Sequence, residues 1–340
     1  MTSPVDFPLI SVVIVVRPGR PCAALARLQE VDYSADRLEI LLVKGYCPPR
    51  QRNEGVRRSA GQIVYFLDDD SLAAPDLFQR VAARFHEDPH LTAVGGPSLT
   101  PPGGSLLQRN TARVLASPLG AWTMRARYSP VGGWRVATEK ELIGCNLGMQ
   151  RAAFMAEGGF DERFFPNEET ELLARLKRRG HKLAYDPAIV VWREQRASLG
   201  ALGRQFFSYG CGRMRQILAG PRTTSLFFLL PLLLCLYLLA LPLLLGQDWM
   251  WLLPLALYGI LVTIESVRIM ADGSQPYELV LLLLLFAVIH LCYGLGLLWS
   301  LIGWVLVRVR LTNERVVSME PIRVSQSPHR SQLFPPLTDL

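Results

Sequence analysis

From Thr223 to Gly246 the chain runs 24 residues without a charged side chain. Lipid offers backbone polar groups no partners, so a stretch of this length is restricted to a helix that crosses the bilayer. Two further apolar stretches follow. Trp249–Ile264 is shorter and closes on Glu265 and Arg268, while Leu279–Val307 runs 29 residues without a full charge. The chain therefore divides into an ordinary mixed half and a lipid-like part, where the excess behind its 50% hydrophobic content lies. The third stretch is long for one helix and short for a hairpin. With the N-terminal half in the cytosol, three spans put Arg308, Arg310 and Arg315 outside, against the positive-inside tendency, unless the third is partly re-entrant. Leu199–Ala219 is an amphipathic helical region carrying Arg204, Arg213 and Arg215, suited to an anionic inner leaflet or to a plain solvated face. The tail after Ser318 reads as disordered.

Charge and cysteine usage narrow the setting. There are 36 Lys and Arg against 29 Asp and Glu, a net charge of +7. Arginines flanking spans on an inner leaflet explain that balance, and no aromatic-basic motif or recognition-helix pattern points to nucleic acid. The six cysteines are scattered with no CxxC pair, so neither a disulfide framework nor a zinc site is expected and a reducing cytosol fits. Met1–Ser11 lacks a basic region followed by an apolar core, so no signal peptide is expected.

The N-terminal half alternates strands and helices. Leu9–Val16, Leu38–Val43 and Ile63–Leu67 are apolar runs of the kind buried on both faces, separated by helical stretches at Pro21–Glu30 and Gln51–Ala60. That order predicts a mainly parallel α/β sheet, in which ligands sit outside the carboxyl ends of the strands. Arg17, Lys44 and the triplet Asp68, Asp69 and Asp70 would cluster there. Three carboxylates at the end of a buried strand repel one another, and a hard divalent cation with a phosphorylated ligand would relieve them. Read alone, the triplet fits equally well an exposed turn whose acids cap a helix starting near Ala74. Further on, Leu77–Phe85 reads as a helix, Leu91–Gly95 as a strand, and Gly120–Lys140 as a long irregular stretch. Glu168–Arg179 reads as a helix stopped by Gly180, and Lys182–Tyr185 and Ile189–Trp192 as short strands.

Together these pieces resemble glycosyltransferase family 2, the inverting, nucleotide-sugar-dependent enzymes with a GT-A fold. The resemblance covers Pro8 to Arg215 and rests on order and spacing: the opening strand, Arg52-Asn53-Glu54-Gly55, Phe66-Leu67-Asp68-Asp69-Asp70, Gly158-Gly159-Phe160-Asp161, and Glu168-Glu169-Thr170-Glu171. Tyr209–Arg213 and His290–Gly296 look like the succinoglycan-type exopolysaccharide branch with C-terminal spans. The resemblance implies a GT-A domain over 1–198, a juxtamembrane helix over 199–222, spans over 223–307 and a tail over 308–340. It implies Asp70 and Asp68 as ligands of Mg²⁺ or Mn²⁺, and Glu169 as the general base. Arg17, Lys44, Arg52, Asn53, Asp68 and Asp69 would line the donor site. Asn146, Arg151, Glu168 and Arg213 would line the sugar and acceptor region, with Glu168 the more structural of its pair. The implied partners are a nucleotide-sugar donor and a lipid-linked or membrane-proximal glycan acceptor, on an inner membrane with the catalytic half in the cytoplasm.

Departures from the family pattern stand beside the matches. Gly19-Arg20 and Lys44 occupy places where the family carries acids that read the base and ribose, and a lysine cannot accept a hydrogen bond from a uracil imide. The Gln-x-x-Arg-Trp signature of processive synthases is absent, which favours single addition. Two other readings compete. A haloacid-dehalogenase-type phosphatase lacks its later lysine and acidic pair here. A membrane-tethered sugar-binding scaffold on a degenerate transferase fold is motivated by the altered nucleotide-site positions.

Overall fold

The structure is a computed structural model that describes residues 7–220, 226–271, 273 and 275–314, with 226 and 307–314 as backbone alone. The expected start of the first span at Thr223 and the tail after Ser318 lie outside these residues.

Strand β1 (Ile10–Val16) is buried at all seven positions, as its unbroken apolar sequence requires. It is followed by α1 (Ala23–Arg27), β2 (Leu38–Lys44), α2 (Pro48–Arg58), β3 (Ile63–Asp68), β4 (Leu72–Ala73), α3 (Leu77–Glu87), β5 (Leu91–Gly95) and β6 (Ser98–Leu99). Then come α4 (Leu106–Ala116), α5 (Pro118–Ala121), β7 (Arg135–Val136), β8 (Leu147–Gln150), α6 (Arg151–Ala156), α7 (Glu168–Arg178), β9 (Lys182–Tyr185) and β10 (Val191–Trp192). The last elements are α8 (Leu199–Ala219), α9 (Leu230–Leu245), α10 (Leu253–Met270) and α11 (Glu278–Glu314).

Seven strands form one sheet in the order β2-β1-β3-β8-β5-β9-β7. β1 runs parallel to β2 and β3, and β5 parallel to β9. β8 lies antiparallel between β3 and β5, and β7 antiparallel to β9, so the sheet is mixed. Successive side chains point to opposite faces. Val12, Ile14, Tyr65 and Leu67 therefore meet α3 through Phe78 and Val81, while Val13, Val64 and Phe66 meet α6 and α7 through Phe154, Leu172 and Leu176. Register aligns Val16 with Lys44 and Val15 with Asp68, which brings the three parallel strands to one carboxyl edge.

Strand β8 is an addition to the sequence reading. It is short, and Gly148 within it hides the pattern: a Cβ there would lie 2.9 Å from the Tyr65 ring, so only glycine lets the two strands pair. Helix α3 starts at Leu77 rather than near Ala74, because Leu72 and Ala73 pair with Trp192 and Val191 in a second small sheet, β4-β10-β6. Gly120–Lys140 is not wholly irregular, since it holds a 3₁₀ turn at Trp122–Arg127 and β7.

Three helical stretches are long and apolar enough to cross a membrane: Phe227–Leu245, Trp249–Met270 and Glu278–Leu306. The third belongs to one continuous helix of 37 residues, about 55 Å at 1.5 Å per residue, so the re-entrant alternative is set aside. Contacts tie this helix to the N-terminal half. Glycine lets α8 and α11 touch backbone to backbone: a Cβ on Gly210 would lie 2.1 Å from the Tyr293 carbonyl oxygen, and one on Gly296 2.0 Å from that of Phe207. At the start of α11, Asn110 Nδ2 donates to Glu278 Oε2 at 2.7 Å, and Arg113 pairs with the same carboxylate at 3.3 Å. His290 Nε2 lies 3.1 Å from the Leu119 carbonyl oxygen. The described residues up to Leu301 belong to one compact unit.

Candidate active site

The carboxyl end of β3 delivers Asp68 to the edge of the sheet, and the chain turns at once, with Ser71 N donating to the Asp68 carbonyl at 3.1 Å. Asp68 is clamped from two sides. Arg52, on α2, donates through Nη2 to Oδ1 at 2.7 Å, and Arg193, just after β10, reaches Oδ2 at 3.1 Å. Arg193 also places Nε 2.7 Å from Asp70 Oδ1. Burial pushes the Asp68 carboxyl up, but Arg193 and Arg52 outweigh it and hold the group below its usual value. Asp69 behaves oppositely: burial, then repulsion from Asp70 and Asp68, raise it.

One guanidinium thus touches both Asp68 and Asp70, so their carboxylates converge on a single cation position. That convergence, together with all-oxygen donors, fits Mg²⁺ or Mn²⁺. Among the described residues no three His, Cys, Asp or Glu side chains gather closely enough to hold a metal unaided. Mg²⁺ is commonly held by one or two carboxylates plus ligand phosphates, and this site offers the two.

Helix α7 supplies the opposite wall. Its first turn carries Glu168, Glu169 and Glu171, where carboxylates complement the positive end of the helix dipole. Glu168 is 2% exposed and accepts from Arg52 Nη1 at 2.6 Å, so Arg52 joins α7 to β3 through one side chain. Its second oxygen has no partner, and burial, opposed by Arg52 and reinforced by Glu169, pushes its pKa up to about 7. Glu169 faces another way. Arg127 donates through Nη1 to Glu169 Oε1 at 3.2 Å, while its Nε and Nη2 bond the Lys140 and Glu139 carbonyls and Nη2 also reaches Thr170 Oγ1. Both Arg127 and Thr170 address Oε1, leaving Oε2 outside this set of bonds.

The remaining sequence candidates fall in different places. Lys44 is exposed at the same sheet edge as Asp68, and Arg17 is exposed just beyond β1. Asn53 is a latch: its Oδ1 accepts from Phe160 N at 2.9 Å and its Nδ2 donates to the Phe160 carbonyl at 2.8 Å. Gly159 permits that latch, with φ of +71° and an added Cβ only 2.6 Å from Asn53 Oδ1. Asn146 does not line an open sugar region. It is fully buried, bonds the Tyr65 hydroxyl, and donates to the Pro97 and Ile189 carbonyls at 2.9 and 2.8 Å. Arg151 lies at the far end of the sheet, where Gln150 pairs with Ile63, and is bound to Val56 O and Ser59 Oγ. Both are placed by strand β8, which has the site at one end only. Arg213 is buried on α8 and is taken up below.

Arg193 and Arg127 were missed in the sequence. Arg193 follows a two-residue strand and Arg127 ends a 3₁₀ turn, so neither carries a local pattern. The only signal available was the excess of acids needing cations at this edge.

Comparison with known proteins bears on this arrangement. Residues 2–212, more than half of the chain, match the family described as glycosyltransferase like family 2. The chain belongs to that family. Succinoglycan biosynthesis protein ExoA of Rhizobium meliloti (strain 1021) is 33% identical over 130 residues, 38% of this chain and 38% of that protein. The matched part thus spans well under half of that relative. Among solved structures, the mannosyltransferase PcManGT from Pyrobaculum calidifontis in complex with GDP-Man and Mn2+ is similar at a TM-score of 0.47 and 17% identity, over 92% of this chain and 88% of that one. The mainly parallel, mixed sheet with its helices lies within the matched residues, and the three apolar helices follow it in the chain.

Proposed function

We propose that this chain is an inverting, metal-dependent glycosyltransferase anchored in the inner membrane, its sheet domain in the cytoplasm. It would move a sugar, of hexosyl type, from a nucleotide-sugar donor to a lipid-linked or membrane-proximal glycan acceptor, one residue at a time. The observation that carries this reading is the convergence of Asp68 and Asp70 on one cation position, with Glu169 held on the facing helix by Arg127.

Each residue then has a task. Asp68 and Asp70 would hold Mg²⁺ or Mn²⁺, which when bound supplies Lewis-acid neutralisation of the departing diphosphate. Arg52 fixes Asp68 against α7. Arg193, which here meets both aspartates, would yield those oxygens to the metal and offer its guanidinium to phosphate oxygens. Lys44 and Arg17 add positive charge at the edge where a diphosphate would lie. Glu169, its Oε1 fixed by Arg127 and Thr170, takes the acceptor hydroxyl proton on Oε2 as that oxygen attacks the anomeric carbon opposite the leaving group. A base held in this way contributes about 10²–10⁴ in rate.

The test is a donor screen on the purified, detergent-solubilised chain, read as nucleoside diphosphate release with Mn²⁺. Release with at least one donor, abolished in Asp70→Asn, is the expected result. Full release in Asp70→Asn rejects the assignment.

A further inference from the structure

The turn that delivers Arg127 to Glu169 is held in a conformation its residues do not favour. Among the described residues Trp122 is the one non-glycine with positive φ, +49° with ψ −121°, a region suited to glycine. It opens a 3₁₀ turn of six residues, Trp122–Arg127, longer than such turns usually run. Just before it, Gly120 presses on the end of α4, where an added Cβ would lie 1.9 Å from the Val114 carbonyl oxygen. Strain of this kind persists only where the surroundings over-determine the backbone.

The surroundings here are the three apolar helical stretches. Half-exposed Trp122 stacks on Phe227, the first residue of the first stretch, at 5.1 Å and 27°. His290, on the third, reaches the Leu119 carbonyl oxygen through Nε2 at 3.1 Å. A carbonyl only accepts, so Nε2 carries the proton, and Nδ1 accepts from the hydroxyl of Tyr258, on the second stretch, at 2.9 Å. Helix α8 adds a further tie: Arg213 stacks 4.4 Å over Phe228 and places Nη2 3.8 Å from Met124 Sδ. Leu119 and Tyr258 pack on an apolar cluster that already buries Val114, Leu285, Phe286 and Ile289. Adhesion alone therefore needs neither a strained tryptophan nor a histidine in a lipid-like run. At the other end of the turn, buried Arg127 is fixed by the Lys140 and Glu139 carbonyls and holds Glu169 Oε1. Asp68, by contrast, is held by Arg52 and Arg193, and Asp70 by Arg193.

We propose that residues 119–127 form a strut through which the three apolar helices set the position of Arg127 and so of Glu169, with Trp122 and His290 as its positioning residues. The inference rests on the transferase reading above, in which Glu169 is the base. Packing of the apolar helices then governs the step that needs the base and leaves donor binding alone.

The experiment uses the full chain in detergent and three variants. Trp122→Gly removes the stack and suits the local φ, so it keeps the test open if a change at His290 does not fold. His290→Leu removes the bond to Leu119, and His290→Gln retains an amide that can donate to it. Hydrogen exchange, which needs no substrate, should speed up about tenfold or more at 119–129 and 167–171 in Trp122→Gly and His290→Leu, with α2 and β3 unchanged. His290→Gln should stay near the wild type. Wild-type exchange in either variant, equal acceleration in α2 and β3, or a His290→Gln no better than His290→Leu overturns the strut. Transfer from the donor found in the screen to farnesyl-diphosphate-linked glucose should lose about 10- to 100-fold in kcat in the first two variants, with donor KM kept. Wild-type kcat, or a matching rise in donor KM, overturns the positioning role. Glu169→Gln measured alongside separates the two readings. A full rate there removes the base assignment, whereas a slow Glu169→Gln beside a fast Trp122→Gly removes the strut alone.

Discussion

The start of α7 has two sides that differ in what they hold. On the inner side, Glu168, Arg52, Asp68 and Arg193 form a chain of ion pairs, buried at Glu168 and Arg52 and half-buried at Asp68 and Arg193, that joins α7, α2, β3 and the end of β10. On the outer side, Arg127 is the one cation among the described residues that pairs with Glu169. Two glutamates adjacent in sequence are thus sorted by their partners. Glu168 is enclosed and shares its arginine with an aspartate, which makes it a structural link. Each glutamate keeps one oxygen outside its bonding set, and Glu169 differs in that its arginine, Arg127, bonds the Lys140 and Glu139 carbonyls rather than an aspartate.

The sharpest way to break this contrast is to remove each carboxylate's charge without changing its shape. Glu169→Gln should lower transfer about 10²–10⁴-fold while nucleoside diphosphate binding with Mn²⁺ persists. Transfer assays and calorimetry on one preparation check both halves. A larger rate loss in Glu168→Gln than in Glu169→Gln would reverse the assignment of the pair.

Next in size is the arginine of the inner side. Arg52→Met leaves Glu168 buried without a cation and takes one of two from Asp68. Breaking a buried pair in this way costs about 3–5 kcal/mol. Thermal unfolding in detergent should show a lower Tm, and a smaller drop for Lys44→Met, which lies exposed at the same edge. Equal drops would mean that the inner network carries no special share of the stability.

How far this contrast could be read from sequence depends on which groups are local. The run Ile63–Leu67 ending on Asp68 reads as a buried strand, and the structure puts its end at the expected sheet edge. The α7 glutamates fall in a first helical turn, and α8 spans Leu199–Ala219 as expected, because apolar spacing and helix stops are local signals. Partners were not legible in this way. Arg52 and Glu168 are 116 positions apart, and Arg127 and Glu169 are 42 apart. Asn146 looks like a polar residue near a site, yet it is consumed by three groups from strands and loops that meet only after folding. The same holds for Gly210 and Gly296, whose need to be glycine follows from a helix crossing.

That crossing offers a smaller test, on how the outer side is held against the spans. Gly210→Ala would place a methyl group 2.1 Å from the Tyr293 carbonyl oxygen, so α8 and α11 would have to move apart. Overpacking of this kind costs about 1–3 kcal/mol. Because α8 also carries Arg213 and holds Asn167, just before α7, through Gln216, the shift should reach the outer side first. Transfer should fall more than donor hydrolysis in Gly210→Ala. Equal losses would mean that the two sides move as one.

The smallest expected effect is the pH response, because two carboxylates of the inner side, buried Glu168 and half-buried Asp68, pull in opposite directions. Folded Glu168 keeps its proton up to about pH 7, whereas the unfolded chain releases it near 4.5. Between these values the folded state binds more protons, so the Glu168 contribution to stability is full below 4.5 and falls away as pH rises to 7. Asp68 has the reverse sign. Its carboxyl is held below its usual value by Arg193 and Arg52, so its contribution is present above that value and fades as pH falls through the depressed one. From pH 5 to pH 8 only the Glu168 slope is active, and wild type should lose Tm relative to Glu168→Gln over that interval. A Tm difference that stays constant between pH 5 and pH 8 would give Glu168 an ordinary carboxylate's behaviour, and would remove the electrostatic distinction between the two sides of α7.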